Sequence, residues 1–309
     1  MIITDKDTEL IIEIIKNAIK ITEWFKIKGF QSYIKQDQSP VTLADFASQI
    51  YIISKLKNNF PEDSIIAEES FSSEVNLSSK KIIYSCYDEL NLSLKPNFKD
   101  ILNYRGPASE TRWSIDPIDG TKGYQESLSY AIGIGLISKN EKIFSIIGVP
   151  NYNNNQIAVF YANKGRGARA SYGNREFNPI KISEKENIKQ YTLCHSLHYD
   201  EPWVMELAKI IGIKTYKQLD SMAKFCMIAD GSADLYIKPM NETRSFIWDF
   251  LPGHLLVTEA GGIVTDLMGK IPEYVNDKCL ISAPGLVVSN GKSHDQIIEI
   301  IKNNQNLFN

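Results

Sequence analysis

The stretch Trp113-Ser114-Ile115-Asp116-Pro117-Ile118-Asp119-Gly120-Thr121 restricts this chain more than any other. Arg112 to Ile115 reads as a short apolar strand. Behind it stand two carboxylates three residues apart, with a proline between them and a glycine after them. A helix face cannot account for that pattern. The pyrrolidine ring fixes φ at Pro117, and Gly120 is free to take backbone angles closed to other residues. Such a turn can aim both carboxylates and the Ile118 carbonyl at one point. Oxygen ligands grouped this way suit a hard divalent cation such as Mg²⁺, which takes a few carboxylates and completes its shell with water and substrate phosphate. The same residues also make an ordinary β-turn, so the segment alone leaves both readings open.

Further acidic groups stand in comparable places. Glu68 and Glu69 follow Ser64-Ile65-Ile66-Ala67, a run that reads as a short buried strand with carboxylates at its end; a solvated loop is the plain alternative. Ile247-Trp248-Asp249 leads into a helix expected over Phe250 to Ala260 and ended by Gly261-Gly262. Asp249 takes the place of an N-cap there, and Pro252 that of a first-turn proline. An N-cap carboxylate can also turn outward to a metal. Thr42-Leu43-Ala44-Asp45 has the form of a capping box with Asp where Glu is usual, so Asp45 is either a cap alone or a cap with a second duty.

Periodicity supplies the frame. Leu10, Ile11, Ile14, Ile15, Ala18 and Ile19 recur at helical spacing. Lys28 to Gln38 is polar and extended. Ser39-Pro40-Val41-Thr42 opens a second helix that ends near Asn58-Asn59. Phe71 to Thr111, rich in Ser, Asn and Lys, reads as a long surface excursion with short helices at Lys80–Leu90 and Phe98–Tyr104. Tyr130–Ser138, Lys142–Pro150 and Ile157–Tyr161 are dense in β-branched residues and read as neighbouring strands. Lys164-Gly165-Arg166-Gly167 lacks the spacing of a phosphate loop and reads as a hairpin turn. From Tyr191 onward strand and helix alternate, which suggests an α/β layer. Two lobes are expected: residues 1–160, an α+β lobe with Asp45, Glu68 and the Asp116–Thr121 turn, and residues 161–309, an α/β lobe with Asp249 and the substrate contacts.

Composition narrows the function. With 43% hydrophobic and 23% charged residues the chain can bury a sizeable core, which excludes whole-chain disorder. Its 34 basic and 37 acidic residues give a net charge of −3, without the basic excess of a nucleic-acid binder. Cys86, Cys194, Cys226 and Cys279 are scattered and form no disulfide or zinc pattern, which fits a reducing cytoplasm. The acidic, amphipathic start is unlike a signal peptide, and no apolar run approaches the roughly 20 residues that span a bilayer. A monomer in the cytoplasm is expected, with neither membrane nor nucleic acid polymer as partner.

In combination the motifs resemble those of the lithium-inhibited phosphatases of the inositol monophosphatase superfamily. That superfamily includes fructose-1,6-bisphosphatase, inositol polyphosphate 1-phosphatase and 3′(2′),5′-bisphosphate nucleotidase. Asp116 to Thr121 matches the signature DP(I/L)DGT. Trp248-Asp249 with Gly253 matches WDxxxG, Glu259-Ala260-Gly261-Gly262 matches EAGG, and Glu68-Glu69 matches a first-domain EE pair. They stand in family order across residues 39 to 266. Within the superfamily the likeness is strongest to the bisphosphate nucleotidases, through Ser39 to Asp45, Asp116 to Tyr124, His195-Ser196-Leu197-His198, Asp220 to Phe225 and Ala233 to Tyr236. Met222 stands where Gln is usual, Lys238 where Arg is common, and Glu126 where some members carry Arg. These departures lie on the substrate side, so they bear on substrate identity more than on chemistry.

The resemblance implies a layered αβαβα sandwich of the sugar phosphatase type, an α+β to α/β fold. It implies two to three Mg²⁺ ions: one on Glu68, Asp116 and the Ile118 carbonyl, one on Asp116, Asp119 and Asp249, and a third held by Glu68 mostly through water. Li⁺ would inhibit by taking a Mg²⁺ position. Thr121 and Asp45, with Glu68, would be the catalytic residues that prepare an attacking water. The Gly120 and Thr121 amides would bind the transferred phosphate; His195, Ser196, Ser221, Lys224 and Lys238 would meet the rest of the substrate. The implied partner is a small phosphorylated molecule, and the implied reaction is hydrolysis of the 3′-phosphate of adenosine 3′,5′-bisphosphate. An inositol polyphosphate 1-phosphatase or dual-activity enzyme shares every metal ligand and is the alternative; a silent metal and metabolite sensor is the third. The chemistry explains the residues. Phosphate monoester hydrolysis is among the slowest uncatalysed reactions, metals neutralise the charge that repels attack, and a threonine hydroxyl is too weak a base without a carboxylate behind it.

Overall fold

In the computed structural model, residues 2–308 are described except for 30, 36, 37, 73, 74, 154, 155, 200, 241–244 and 281–283. The chain opens with α1 (Asp5–Lys28), started by a reciprocal cap between Thr4 and Asp7. Its apolar stripe, including Ile11, Ile15 and Ala18, is fully buried, as helical spacing requires. A hairpin of β1 (Ser32–Ile34) and β2 (Pro40–Thr42) leads into α2 (Leu43–Asn59). Residues 40–42 are therefore strand, where the sequence reading placed a helix start. They pair with β1, and the helix begins only after its Thr42 cap.

The first sheet has seven strands in chain order: β3 (Ser64–Ala67), β4 (Thr111–Asp119), β5 (Ala131–Ser138), β6 (Glu141–Tyr152), β7 (Gln156–Asn163), β8 (Ala168–Tyr172) and β9 (Asn178–Ile180). Only β3 and β4 are parallel among these neighbours. A parallel pair needs a long crossover, and residues 68–110 supply it with α3 (Leu77–Glu89) and α4 (Phe98–Leu102). This corrects the reading of 71–111 as a surface excursion. Ile83, Cys86, Tyr87, Phe98 and Leu102 are buried in the first core, and the Tyr87 hydroxyl donates to the Ala47 carbonyl of α2 at 2.7 Å. Polar composition on the outer face hid a thin apolar stripe.

The second sheet has the order β11 (Thr215–Gln218), β10 (Thr192–His195), β12 (Leu235–Pro239), β16 (Gly285–Ser289), β13 (Ile263–Asp266). Among its neighbours β10 runs parallel to β11 and β12, and β16 antiparallel to β12 and β13. α1 and α2 cover one face of the first sheet. α7 (Ala223–Ala229) and α8 (Ile247–Glu259) fill the space between the sheets. α6 (Pro202–Ile211) and α9 (His294–Asn303) cover the far face of the second. The architecture is thus the expected αβαβα sandwich. A short hairpin, β14 (Glu273–Val275) with β15 (Lys278–Leu280), flanks α8.

β5 shows what the sandwich demands. Every residue of Ala131–Ser138 is buried, because helices press on both faces. Gly135 lets α8 close on the sheet: a Cβ there would meet the Leu251 side chain at 2.9 Å. Full burial of each leucine-sized side chain stabilises by roughly 1.5–3 kcal/mol, and α8 buries Leu251, Leu255 and Leu256. This packing brings the N-terminus of α8, and with it Asp249, to the end of β4.

Candidate active site

The Asp116 to Thr121 segment is not the free turn expected from sequence. β4 continues through Asp119, and its register against β5 shifts between Asp116 and Asp119. The bulge lets residues around Pro117 leave the ladder while both carboxylates stay anchored. Asp116 Oδ1 accepts the Ile118 N–H at 3.1 Å, and Asp119 accepts the Met222 N–H. Gly120, at φ +86°, then turns the chain into α5 (Thr121–Gln125). Asp249 is the third residue of α8, not its N-cap; Phe246 holds that position, and Pro252 falls in the second turn rather than the first. From there the Asp249 carboxylate takes a hydrogen bond from the Phe246 backbone.

Carboxylate oxygens of Asp116, Asp119 and Asp249 all lie within 4.8 Å of one another. Burial raises the pKa of all three; in Asp116, charge on Glu68, Asp119 and Asp249 adds to it. Asp249 is pushed up to about 7 by burial and by Asp119 and Glu68, although Lys238 opposes the shift. Asp119 is raised by burial against the pull of Lys238 and Lys224. Buried and half-buried carboxylates at this spacing are stable only when protonated or when cations sit among them. The donor set, oxygen throughout, fits a hard divalent cation.

Glu68, at the end of β3, lies close enough to act on Asp116, and its backbone N–H bonds the Ile115 carbonyl at 3.1 Å. Its carboxylate is engaged by a residue the sequence reading missed. Lys35 Nζ stands 2.8 Å from Glu68 Oε1 and 2.8 Å from Glu69 Oε1. Burial works to lower the Lys35 pKa, but the two carboxylates outweigh it and raise it above its usual value. Glu69 is almost fully buried and held up at about 8 by burial and by Glu68. Its backbone is gripped by both ends of the Gln49 amide, at 2.6 and 2.8 Å.

Asp45 is both a cap and a site residue by position. Oδ2 accepts the Thr42 N–H at 2.8 Å and the Thr42 hydroxyl at 2.6 Å, completing the capping box. Oδ1 faces the Thr121 hydroxyl at 3.3 Å, and that hydroxyl also lies 3.2 Å from the Ile118 carbonyl. Complete burial lifts Asp45 to about 7 despite the Thr42 hydrogen bond.

The opposite wall comes from α7, the residues just before it and the strands of the second sheet. Lys224 is 2% exposed, donates to the Leu219 carbonyl at 3.0 Å and lies 5.2 Å from the centre of the Tyr236 ring. Burial lowers it to about 8. Lys238 is half-buried rather than solvated, 4.7 Å over the Phe250 ring. Ser221 has φ +70°, a strained value for a non-glycine residue, and its Cβ would lie 3.2 Å from a Cβ placed on Gly120. His195 is buried at the end of β10, edge-on to Tyr216 at 6.3 Å, rather than on the surface. Ser196 follows it, half-buried.

Glu259 has a role that no spacing disclosed. Its carboxylate accepts the Gly165 and Gly167 N–H groups at 2.9 and 3.0 Å. The turn between β7 and β8 thus has its amides satisfied by the end of α8, so the hairpin reading of Lys164–Gly167 is the right one.

The chain matches the profile of the Inositol monophosphatase family over residues 4–306. A 3′(2′),5′-bisphosphate nucleotidase of Schizosaccharomyces pombe is 30% identical, with 96% of this chain and 94% of that protein aligned. A 3′,5′-bisphosphate nucleotidase of Arabidopsis thaliana is 29% identical over 88% of each chain. The fold is that of an IMPase from Thermotoga maritima, with a TM-score of 0.70 at 19% identity and 96% and 97% of the two chains covered. An inositol monophosphatase from Anabaena gives 0.66 at 21% identity, with 97% of each chain covered. No helix among the described residues is long and apolar enough to cross a membrane. With its profile matched almost end to end, its sandwich shared and the carboxylates of Asp116, Asp119 and Asp249 brought together, the chain belongs to the inositol monophosphatase family and is a phosphatase.

Proposed function

We propose that this phosphatase removes the 3′-phosphate of adenosine 3′,5′-bisphosphate, leaving AMP, with 3′-phosphoadenosine 5′-phosphosulfate as a further substrate. The observation that carries the reading is the convergence of Asp116, Asp119 and Asp249 within 4.8 Å, beside the Thr121–Asp45 pair. Relatives named as 3′(2′),5′-bisphosphate nucleotidases, at 29 to 31% identity, support the choice of substrate.

Glu68, Asp116, Asp119, Asp249 and the Ile118 carbonyl would hold two to three Mg²⁺ ions, which supply neutralising charge at the phosphate and acidify water. The Thr121 hydroxyl orients the attacking water, and Asp45 receives its proton through that hydroxyl. A carboxylate held near 7 is suited to this at neutral pH. The Gly120 and Thr121 amides receive phosphate oxygens. Lys224 and Lys238 offer positive charge to the second phosphate, while His195, Ser196 and Ser221 bound the nucleoside. Li⁺ inhibits by competing for a Mg²⁺ position.

Phosphate release from a panel, with Mg²⁺, tests the proposal. Adenosine 3′,5′-bisphosphate is expected to turn over at least about tenfold faster than inositol 1,4-bisphosphate, with inhibition by Li⁺. The reverse ranking assigns an inositol polyphosphate 1-phosphatase; no turnover of any phosphomonoester leaves a sensor.

A further inference from the structure

At the end of α5 stands a carboxylate–imidazole–carboxylate bridge that the catalytic scheme does not use. Glu126 closes α5, five residues after Thr121, so the short helix keeps it within about 8 Å of that residue's backbone. Its carboxylate, about half exposed, meets His198 Nε2 at 3.0 Å. The other ring nitrogen, Nδ1, meets Asp220 Oδ2. Asp220 is 3% exposed, and its Oδ1 accepts the Leu197 and His198 N–H groups at 3.1 and 3.2 Å. Both ring nitrogens thus face carboxylate oxygens. A neutral imidazole has one N–H, so only the doubly protonated ring donates to both partners.

From this geometry we infer that His198 is a specificity-determining residue: its imidazolium cancels the Glu126 charge at the mouth of a cavity that receives a multiply charged anion. The Asp220 charge is already met by two backbone N–H groups, whereas Glu126 meets only the ring among the described residues. Without the ring, an unscreened carboxylate would stand one helical turn from the Gly120–Thr121 amides and repel the phosphates that approach them. The bridge also ties α5 to the loop carrying Ser196. Asp220 reaches this loop across Gly123, where an added Cβ would sit 3.4 Å from its Oδ2. The inference rests on the proposed function only in needing an anionic substrate.

A two-residue cycle of H198A, E126Q and the double variant tests it, with folding checked by circular dichroism. H198A is expected to raise KM about five- to tenfold, the effect of one charge at this range in a half-solvated site, with kcat within about twofold. E126Q alone leaves KM at or below wild type, and H198A/E126Q returns it to within about twofold. A merely structural or substrate-contacting role would make the double variant as poor as H198A, and that outcome overturns the inference; so does an unchanged KM in H198A. The cycle is run on whichever phosphorylated compound wild type hydrolyses best, so a wrong substrate assignment does not affect it. If wild type hydrolyses none, the dissociation constant for adenosine 3′,5′-bisphosphate is read by calorimetry with the same expected ratios, and absence of wild-type binding overturns the inference.

Discussion

The two walls of the cavity are built on different principles. On the first sheet, Asp116 and Asp119 sit on one strand, Glu68 follows its parallel neighbour, and Asp249 comes from the helix packed on the first of these. The three aspartates are anchored by backbone, through the Ile118, Met222 and Phe246 N–H groups, and Glu68 by Lys35. On the other side, Lys224 of α7 donates to one carbonyl and lies near the Tyr236 ring, Lys238 of β12 lies over the Phe250 ring, and Ser221 just before α7 is held in a strained conformation. The acidic wall is rigid and suited to one chemistry. The basic wall rests on side-chain contacts instead of backbone N–H groups.

Substitutions on the acidic wall should therefore have the larger effects, and on kcat. Asp116→Asn and Asp45→Ala are expected to lower kcat by about a thousandfold, within the range general for loss of an acid–base or metal-holding group, while circular dichroism stays that of wild type. Chelation should abolish turnover, and Mg²⁺ should restore it. Retention of a tenth of the activity in Asp45→Ala would remove Asp45 from the mechanism. On the basic wall, Lys224→Met should raise KM for a bisphosphate by about ten- to thirtyfold, the weight of one desolvated charge pair, with little change for a monophosphate ester. An equal rise for both would mean that Lys224 meets the transferred phosphate and not the second one.

The acidic wall was legible because its information is local. Proline and glycine around Asp116 and Asp119 announced an unusual backbone, and the Thr42–Asp45 spacing announced a cap. What failed was continuity: β4 runs through the proline because β5 pairs on both sides of the bulge, and no short window contains that partner. The buried stripe of α3 and α4 escaped for a similar reason, since it packs against helices far off in sequence. Lys35 reaches carboxylates 33 and 34 residues away, and His198 meets Glu126 across 72. A lone lysine in a polar stretch and the second histidine of a loop carry no signal of such contacts. Asp249 was found by its motif although its place in the helix was misjudged by three residues.

Lys35 crosses the comparison, because it is a cation on the acidic wall. Burial raises the carboxylates there, among them Asp45 to about 7, Asp249 to about 7 and Glu69 to about 8. In the unfolded chain they titrate near 4. The folded state thus binds more protons between those limits, and its stabilisation is present at low pH and lost as pH rises through 7 and 8. Without metal, Tm should fall between pH 6 and pH 8.5, and saturating Mg²⁺ should remove most of that slope. Lys35→Met should steepen it, with a Tm deficit of several degrees at pH 8 and a smaller one at pH 6, where Glu69 can take a proton. A deficit independent of pH would make Lys35 a packing residue rather than a counter-charge.

The smallest effect is expected where the walls touch. Met222 donates its N–H to Asp119, while its side chain, 1% exposed, fills the space over Gly133. A Cβ on Gly133 would meet its sulfur at 2.5 Å. The backbone contact belongs to the acidic wall and does not depend on the side chain. Met222→Gln should therefore leave kcat within about twofold. The buried amide would lack the contacts a thioether makes, at about 1–3 kcal/mol if unpaired, so Tm should fall by a few degrees. A threefold or larger change in KM, with Tm unmoved, would mean that the Gln side chain reaches the substrate and that position 222 belongs to the basic wall. The boundary between fixed chemistry and adjustable recognition would then pass through the Asp119 hydrogen bond itself, and the substrate-side departures would include a residue one peptide bond from the strained Ser221.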